Sequence, residues 1–251
     1  MHFRSGYPGM KQEKRISAAI MVIIVTACLL VSCSRADHKV LPPSRPVPEK
    51  EILTYSGTDS VLDSFVKVPF EQLDAKYLEY TGYKRAVYRK GIEDKIFYRI
   101  TNREANRILA GTFRVIDFLP KDSLRLRSVI DTSVVQYLCI EREVLHRLLD
   151  LVNALARQGY NKYGFKIKDG YRYPDFNNRT GGARMSQHMF GRAIDIAISD
   201  INGDGVFTES VDKKIIYSLL DTAIIRNSGG LGGYPGTNVV HFDTRGSRAR
   251  W

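Results

Sequence analysis

Cysteine is scarce in this chain, with three in 251 residues, at positions 28, 33 and 139. None forms a C-x-x-C pair, which excludes a thiolate zinc site, so any metal must be held by imidazole and carboxylate. Histidine is nearly as scarce: His2, His38, His146, His188 and His241 are the whole supply. Acids are in deficit, 27 against 38 lysines and arginines, giving a formal charge of +11. Internal repeats are absent, and the long apolar run is confined to ISAAIMVIIVTACLLVS, residues 16–32. What is present suffices for a core: 43% hydrophobic residues, 14 Tyr and 11 Phe exclude disorder as the dominant state.

The apolar run follows Lys11, Lys14 and Arg15 and gives way to polar sequence, the plan of a signal peptide over residues 1–32 rather than a permanent membrane helix. It ends in LVSC, which resembles a bacterial lipobox with Cys33 as the acylated residue. On that reading Cys28 leaves with the signal, Cys33 carries the lipid and Cys139 has no disulfide partner. Removal of residues 1–32, four basic residues against one acid, leaves the chain near +8. An exported lipoprotein rarely meets nucleic acid, so none is expected as a partner; the anionic bacterial cell envelope suits this charge better. Ser34 is not the acidic residue that retains some lipoproteins at the inner membrane, which points to the outer membrane, facing the periplasm.

Residues 33–51 are proline-rich without apolar periodicity and read as a tether. Residues 52–135 are mixed, with a short helix around TNREANRILAG, and read as an accessory region of unknown role packed on the C-terminal domain. From residue 136 to 251 the pattern sharpens. Val144, Leu148, Leu151, Val152 and Leu155 recur at helical spacing, with Gly159 placed to end the helix. AIDIAIS alternates, setting Ile194, Ile196 and Ile198 on one face and Ala193, Asp195 and Ala197 on the other. A second amphipathic helix over residues 211–226 carries Ile215, Ile216, Leu219, Leu220 and Ala223, and a glycine-rich loop leads into NVVHFDT. There Val239, His241 and Asp243 share one face. The fold class is α+β, with a central, mostly antiparallel sheet flanked by helices.

If the two strands belong to one sheet, Asp195 and His241 converge, and His188 returns from the loop before them. Two imidazoles, one carboxylate and an open fourth position describe a catalytic zinc site. Spacing alone leaves each histidine equally open to a structural role. His146, beside a helical apolar stripe, reads as structural.

SQHMFGRAID, residues 186–195, matches the S-x-H-x(2)-G-x-A-x-D pattern of the zinc peptidases grouped with D-Ala-D-Ala metallopeptidases, lysostaphin-type enzymes and the hedgehog domain. GYRYPDFNNRTGGARMSQH resembles that family's Gly-Tyr-Arg loop, and GGYPGTNVVHFDTRGSRARW its closing strand. The nearest branch is the peptidoglycan-cleaving carboxypeptidases and murein endopeptidases. The resemblance implies a hedgehog/D-Ala-D-Ala-peptidase-like fold over residues 136–251, with zinc on His188, Asp195 and His241. It also implies Arg172 at the substrate or its developing oxyanion, Ser186 as an outer hydrogen-bond donor or a turn residue, and peptidoglycan stem peptides as substrate. Where some relatives carry a general base, this chain has Asn238, which cannot take a proton. Asp243 is the remaining candidate, as base or as orienter of a ligand. A non-catalytic binding module of the same fold is the alternative.

DINGDGVFTES fits part of a calcium loop, with Asp200, Asn202, Asp204 and Thr208 at positions 1, 3, 5 and 9, although Val211 stands where a bidentate Glu belongs. The competing reading is a polar turn joining strand to helix.

Overall fold

Polar caps set the helix starts in the first half of the chain. Thr54 accepts from Gly57 N ahead of α1 (Tyr55–Asp63), and Asp74 accepts from Lys76 N and Tyr77 N ahead of α2 (Ala75–Thr81). Thr101 and Glu104 form a reciprocal capping box on α3 (Asn102–Ala105). The helix expected around residues 101–111 therefore begins as read but stops at Ala105. Its apolar tail, Ile108–Ala110, leaves to pair with Phe113–Arg114. The computed structural model describes residues 51–122 and 136–251. The expected signal peptide, Cys33 and the tether up to residue 50 lie outside the described residues.

Two main sheets share these elements. The first orders β1 (Val66–Pro69), β2 (Ile96–Ile100) and β5 (Gln136–Cys139), all antiparallel, with Ile108–Ala110 and Phe113–Arg114 as the β3–β4 hairpin and Val115–Phe118 as α4. The second contains β6 (Phe165–Asp169), β7 (Ala193–Ile198), β8 (Gly230–Gly232), β9 (Val239–Asp243) and β10 (Ala249–Arg250), ordered β10-β8-β9-β7-β6. Among the described residues only the β10–β8 pair is parallel, so the class is α+β with a mostly antiparallel sheet, as the alternation implied.

Packed against α1 and β3 runs α5 (Arg142–Arg157), whose Val144, Leu148, Leu151, Val152 and Leu155 are all fully buried. Each such side chain contributes about 1.5–3 kcal/mol of transfer free energy. Gly159, at φ +76°, lets the chain turn away. Next in order come α6 (Pro174–Arg179), opened by a proline, and α7 (Lys214–Leu219). Wide i→i+5 turns at Glu209–Lys213 and Leu220–Ile224 flank α7. They lengthen the local period, so the inward face continues through Ile224 and Ile225 rather than the expected Ala223, which is exposed.

Residues 51–122 contribute to the same buried core as residues 136–251. The junction is also polar. The Tyr77 and Tyr83 hydroxyls each lie 3.0 Å from the Tyr171 hydroxyl, and Tyr83 donates to Met189 O at 3.4 Å. That last acceptor is a carbonyl, which orients the chain: Tyr77 donates to Tyr171, Tyr171 to Tyr83, and Tyr83 to the backbone beside His188. Tyr171 N donates to Phe118 O at 2.9 Å. The backbones approach so closely there that a Cβ on Gly170 would come within 2.8 Å of Phe118 Cα. Among the described residues no helix is long and apolar enough to cross a membrane.

The turn before α7 is organised by Asp212, fully buried, whose Oδ1 accepts from Ile201 N (2.8 Å) and Asn202 N (3.1 Å) and whose Oδ2 accepts from Thr208 N (2.6 Å). Burial pushes its carboxyl up, but these three amides prevail and hold it below the usual carboxylate value. A group depressed in the folded state stabilises above its unfolded pKa and loses that contribution as pH falls through the folded value. Asp212→Ala should cost about 1–3 kcal/mol at neutral pH. Urea unfolding should show that difference shrinking below about pH 4; a pH-independent difference would contradict the assignment.

Candidate metal centre

Asp195 faces His241 because β7 and β9 pair antiparallel in the register Asp195↔His241. His188 comes from the single turn Gln187–Phe190 just before β7. Gly191 then reverses the chain at φ +68° against β5, where a Cβ would sit 2.5 Å from Cys139 O. All three side chains are buried, each 5% exposed or less.

His188 Nε2 lies 3.1 Å from Asp195 Oδ1 and 3.2 Å from His241 Nδ1, and His241 Nδ1 lies 2.8 Å from Asp195 Oδ1. The outer contacts fix what those atoms are. His188 Nδ1 is 2.6 Å from Gly170 O, a carbonyl that only accepts, so the ring proton sits on Nδ1. His241 Nε2 is 3.0 Å from Asp243 Oδ2, a carboxylate, so its proton sits on Nε2. Two imidazole lone pairs and a carboxylate oxygen therefore converge on one point with no proton between them, an arrangement that is unfavourable unless a cation joins it. A tetrahedral zinc with bonds of about 2.0–2.1 Å sets its ligand atoms roughly 3.3 Å apart, close to this triangle. The donor set fits zinc. Among the described residues this is a group of three metal-ligating side chains whose atoms lie within 4.8 Å of one another.

The electrostatics follow the same geometry. Burial pushes the His188 pKa down, against the pull of Asp195. For His241 burial acts downward too, but Asp195 and Asp243 outweigh it and raise the value. Burial alone would raise Asp195, yet the two histidines hold it well below the usual carboxylate range. The other Asp195 oxygen, Oδ2, accepts from Arg172 Nη2 at 2.5 Å, and the same nitrogen donates to Asp169 Oδ2 at 2.9 Å. Asp169 stands opposite Asp195 across the β6–β7 pair, so the arginine offsets a cross-strand repulsion and turns Oδ1 towards the histidines.

Of the two roles open to Asp243, base or orienter of a ligand, its surroundings favour the second. It is fully buried: Oδ1 accepts from Gly230 N (2.9 Å), Arg245 N (3.1 Å) and Arg245 Nε (2.9 Å). Oδ2 accepts from Arg245 Nη2 at 2.5 Å and from His241. Burial pushes its pKa up, but His241, Arg245 and the Gly230 amide hold it well below the ordinary range. A carboxylate so enclosed is a poor proton acceptor; it orients His241 and fixes its tautomer. Asn238 lies at the strand edge, donating through Nδ2 to Ile198 O at 2.8 Å. His146 bonds Asp59 at 3.0 Å and stacks on Tyr55, a structural role as read.

The three converging side chains open into a cleft of about 600 Å³ that Arg172, Ser186, Tyr234, Arg245 and Trp251 also line. Gly170 O, Asp169, Arg245 and Tyr234 were missed by the reading of the sequence. A carbonyl carries no sequence signal, and the other three gain meaning only when distant strands pair. Trp251 packs its ring 5.2 Å from that of His241, in a space where a Cβ on Gly232 would meet the indole at 2.6 Å.

The candidate calcium loop is held by its own backbone. Asp200 accepts from Gly203 N and Gly205 N, Asn202 from Asp204 N, and Asp204 from Val206 N. These are the bonds of a tight polar turn, Gly203 and Gly205 both have positive φ, and the Thr208 side chain caps nothing.

Replacing Asp243 by asparagine should weaken zinc binding about 10–100-fold, measured by competition with a chelator. Unchanged affinity combined with lost turnover would restore Asp243 as the base.

Neither curated proteins nor solved structures yield a match to this chain. A family comparison does: the model described as Peptidase M15 matches residues 121–215. That stretch contains Arg172, His188 and Asp195, and ends before His241. The match supports a peptidase, of a kind that is generally a zinc metallopeptidase. Over residues 121–215 the chain is similar to the Peptidase M15 family.

Proposed function

We propose that the chain is a zinc-dependent peptidase that hydrolyses peptidoglycan stem peptides, as a crosslink endopeptidase or a D-Ala-D-Ala carboxypeptidase. The observation that carries this reading is the meeting of two imidazole lone pairs and one carboxylate oxygen at the floor of an open cleft. His188, Asp195 and His241 would hold the zinc, which when bound polarises a peptide carbonyl and activates water near neutral pH. Gly170 O and Asp243 keep the two imidazoles in the binding tautomer, and Arg172 keeps Asp195 pointing inward. Arg172 also lines the cleft, and the family resemblance assigns its guanidinium to a substrate carboxylate or an oxyanion. The fold is read as the hedgehog/D-Ala-D-Ala-peptidase type, on the strength of the motif order together with the antiparallel sheet that carries two of the ligands.

The setting is a proposal as well. The LVSC motif supports acylation at Cys33 and a place on the outer membrane facing the periplasm, where a net positive chain meets an anionic wall. Cys33→Ala should release the protein from the membrane fraction into the soluble periplasm; retention on the membrane would overturn the anchor.

Incubating the zinc-loaded protein with purified peptidoglycan and separating the products tests the activity. Loss of crosslinked dimers identifies an endopeptidase, and loss of terminal D-Ala a carboxypeptidase. His188→Ala should abolish both zinc binding and turnover, whereas retained turnover would refute the site. Bound zinc without turnover would leave the chain as the non-catalytic binding module.

A further inference from the structure

Hydrolysis of a peptide places negative charge on the carbonyl oxygen, and a site for it needs a hydrogen-bond donor aimed there. The Asn238 amide is turned away to Ile198 O, and Arg172 Nη2 is engaged by two carboxylates. We propose that Tyr234 is a catalytic residue of this site, its hydroxyl donating to the scissile carbonyl oxygen as charge develops. The proposal rests on the peptidase reading above.

The geometry of the β8–β9 loop carries it. Tyr234 lines the same cleft as the three ligands and is 37% exposed, half covered yet reachable by a peptide. Its backbone sits at φ +23°, a region that costs a bulky L-residue strain and persists only when the surroundings impose it. Here they do. The Tyr234 carbonyl accepts from Thr237 N (3.2 Å), Thr237 Oγ1 (2.8 Å) and Lys213 Nζ (2.8 Å). Lys213 is 5% exposed, and its Nζ also donates to Thr237 O and Glu209 Oε1, each at 2.7 Å. A buried lysine thus fixes one strained loop whose outward product is a phenol in the cleft.

The phenol is also oriented. The Trp251 indole lines the same cleft and acts on the phenol as a donor, since an indole N–H only donates, which leaves the phenol's own proton for another acceptor. Burial, and next the Asp195 charge, raise the phenol pKa, which keeps the proton in place at neutral pH. In the step itself water attacks the carbonyl carbon and the C=O pair moves onto oxygen, where Tyr234 shares its hydrogen without transferring it. When the pair returns, the C–N bond breaks and the amine leaves with a proton that came from the water.

Tyr234→Phe keeps the ring and removes the donor. With crosslinked muropeptide as substrate, kcat should fall roughly 10²–10³-fold with KM and zinc content unchanged. Affinity for a phosphinate pseudopeptide, which presents the tetrahedral oxygens, should fall by a comparable factor. If the variant holds zinc and matches the wild type in kcat and phosphinate affinity, the assignment of Tyr234 falls and the peptidase reading stands. If the wild type neither turns over muropeptide nor binds the phosphinate, both fall.

Discussion

Everything at this site depends on one strand register. Asp195 and His241 are 46 residues apart, and the β7–β9 pairing sets them directly opposite. A slip of one residue would move the whole alternating set to the other face, sending Ile194, Ile196, Val240 and Phe242 towards solvent. Those four side chains are fully buried, so the apolar face that stabilises the sheet also secures the register of the ligands. Core packing and metal chemistry are two faces of the same pair of strands.

From that pair the constraints run outward in a chain of single contacts. Asp243 lies two residues past His241, on the same face, and reaches back to its Nε2, while Arg245 and Gly230 N saturate the carboxylate from the other side. Gly170 O does the same for His188 from the end of β6, and Gly170 is pressed against Phe118 from the first half of the chain. The hydroxyl sequence Tyr77, Tyr171, Tyr83 ends on Met189 O, the residue after His188. Residues 51–122 therefore touch the backbone on both sides of the His188 ring. They supply the rigid wall that a preorganised ligand requires.

The legible parts were those in which one local period settles the answer. Alternation in AIDIAIS and NVVHFD gave β7 and β9, the heptad-like apolar stripe gave α5, and a short census of histidines left few ligands to choose from. Illegible parts arose where a partner far along the chain overrides the local pattern. Ile108–Ala110 continues a helical stretch in sequence but finds a strand partner, and two wide turns shift the buried face of α7 to Ile224 and Ile225. Asp243 looked available as a base because neither Arg245 nor the Gly230 amide declares its target. Tyr234 gave no signal at all, since its position depends on a buried lysine from the start of α7.

Arg172 shows how one side chain serves two needs in a site short of charge partners. Its Nη2 lies between Asp169 and Asp195, two carboxylates that cross-strand pairing forces together, and without it their repulsion would raise the pKa of the ligand and favour its proton over a metal. Both acids are met by the one nitrogen, and a guanidinium, unlike an ammonium, keeps its charge at every working pH even when buried between them. The Nε of Arg172 is buried without a partner, and an unpaired buried donor is costly. That cost is carried because the one engaged nitrogen holds two acids together and keeps Asp195 ionised towards the histidines.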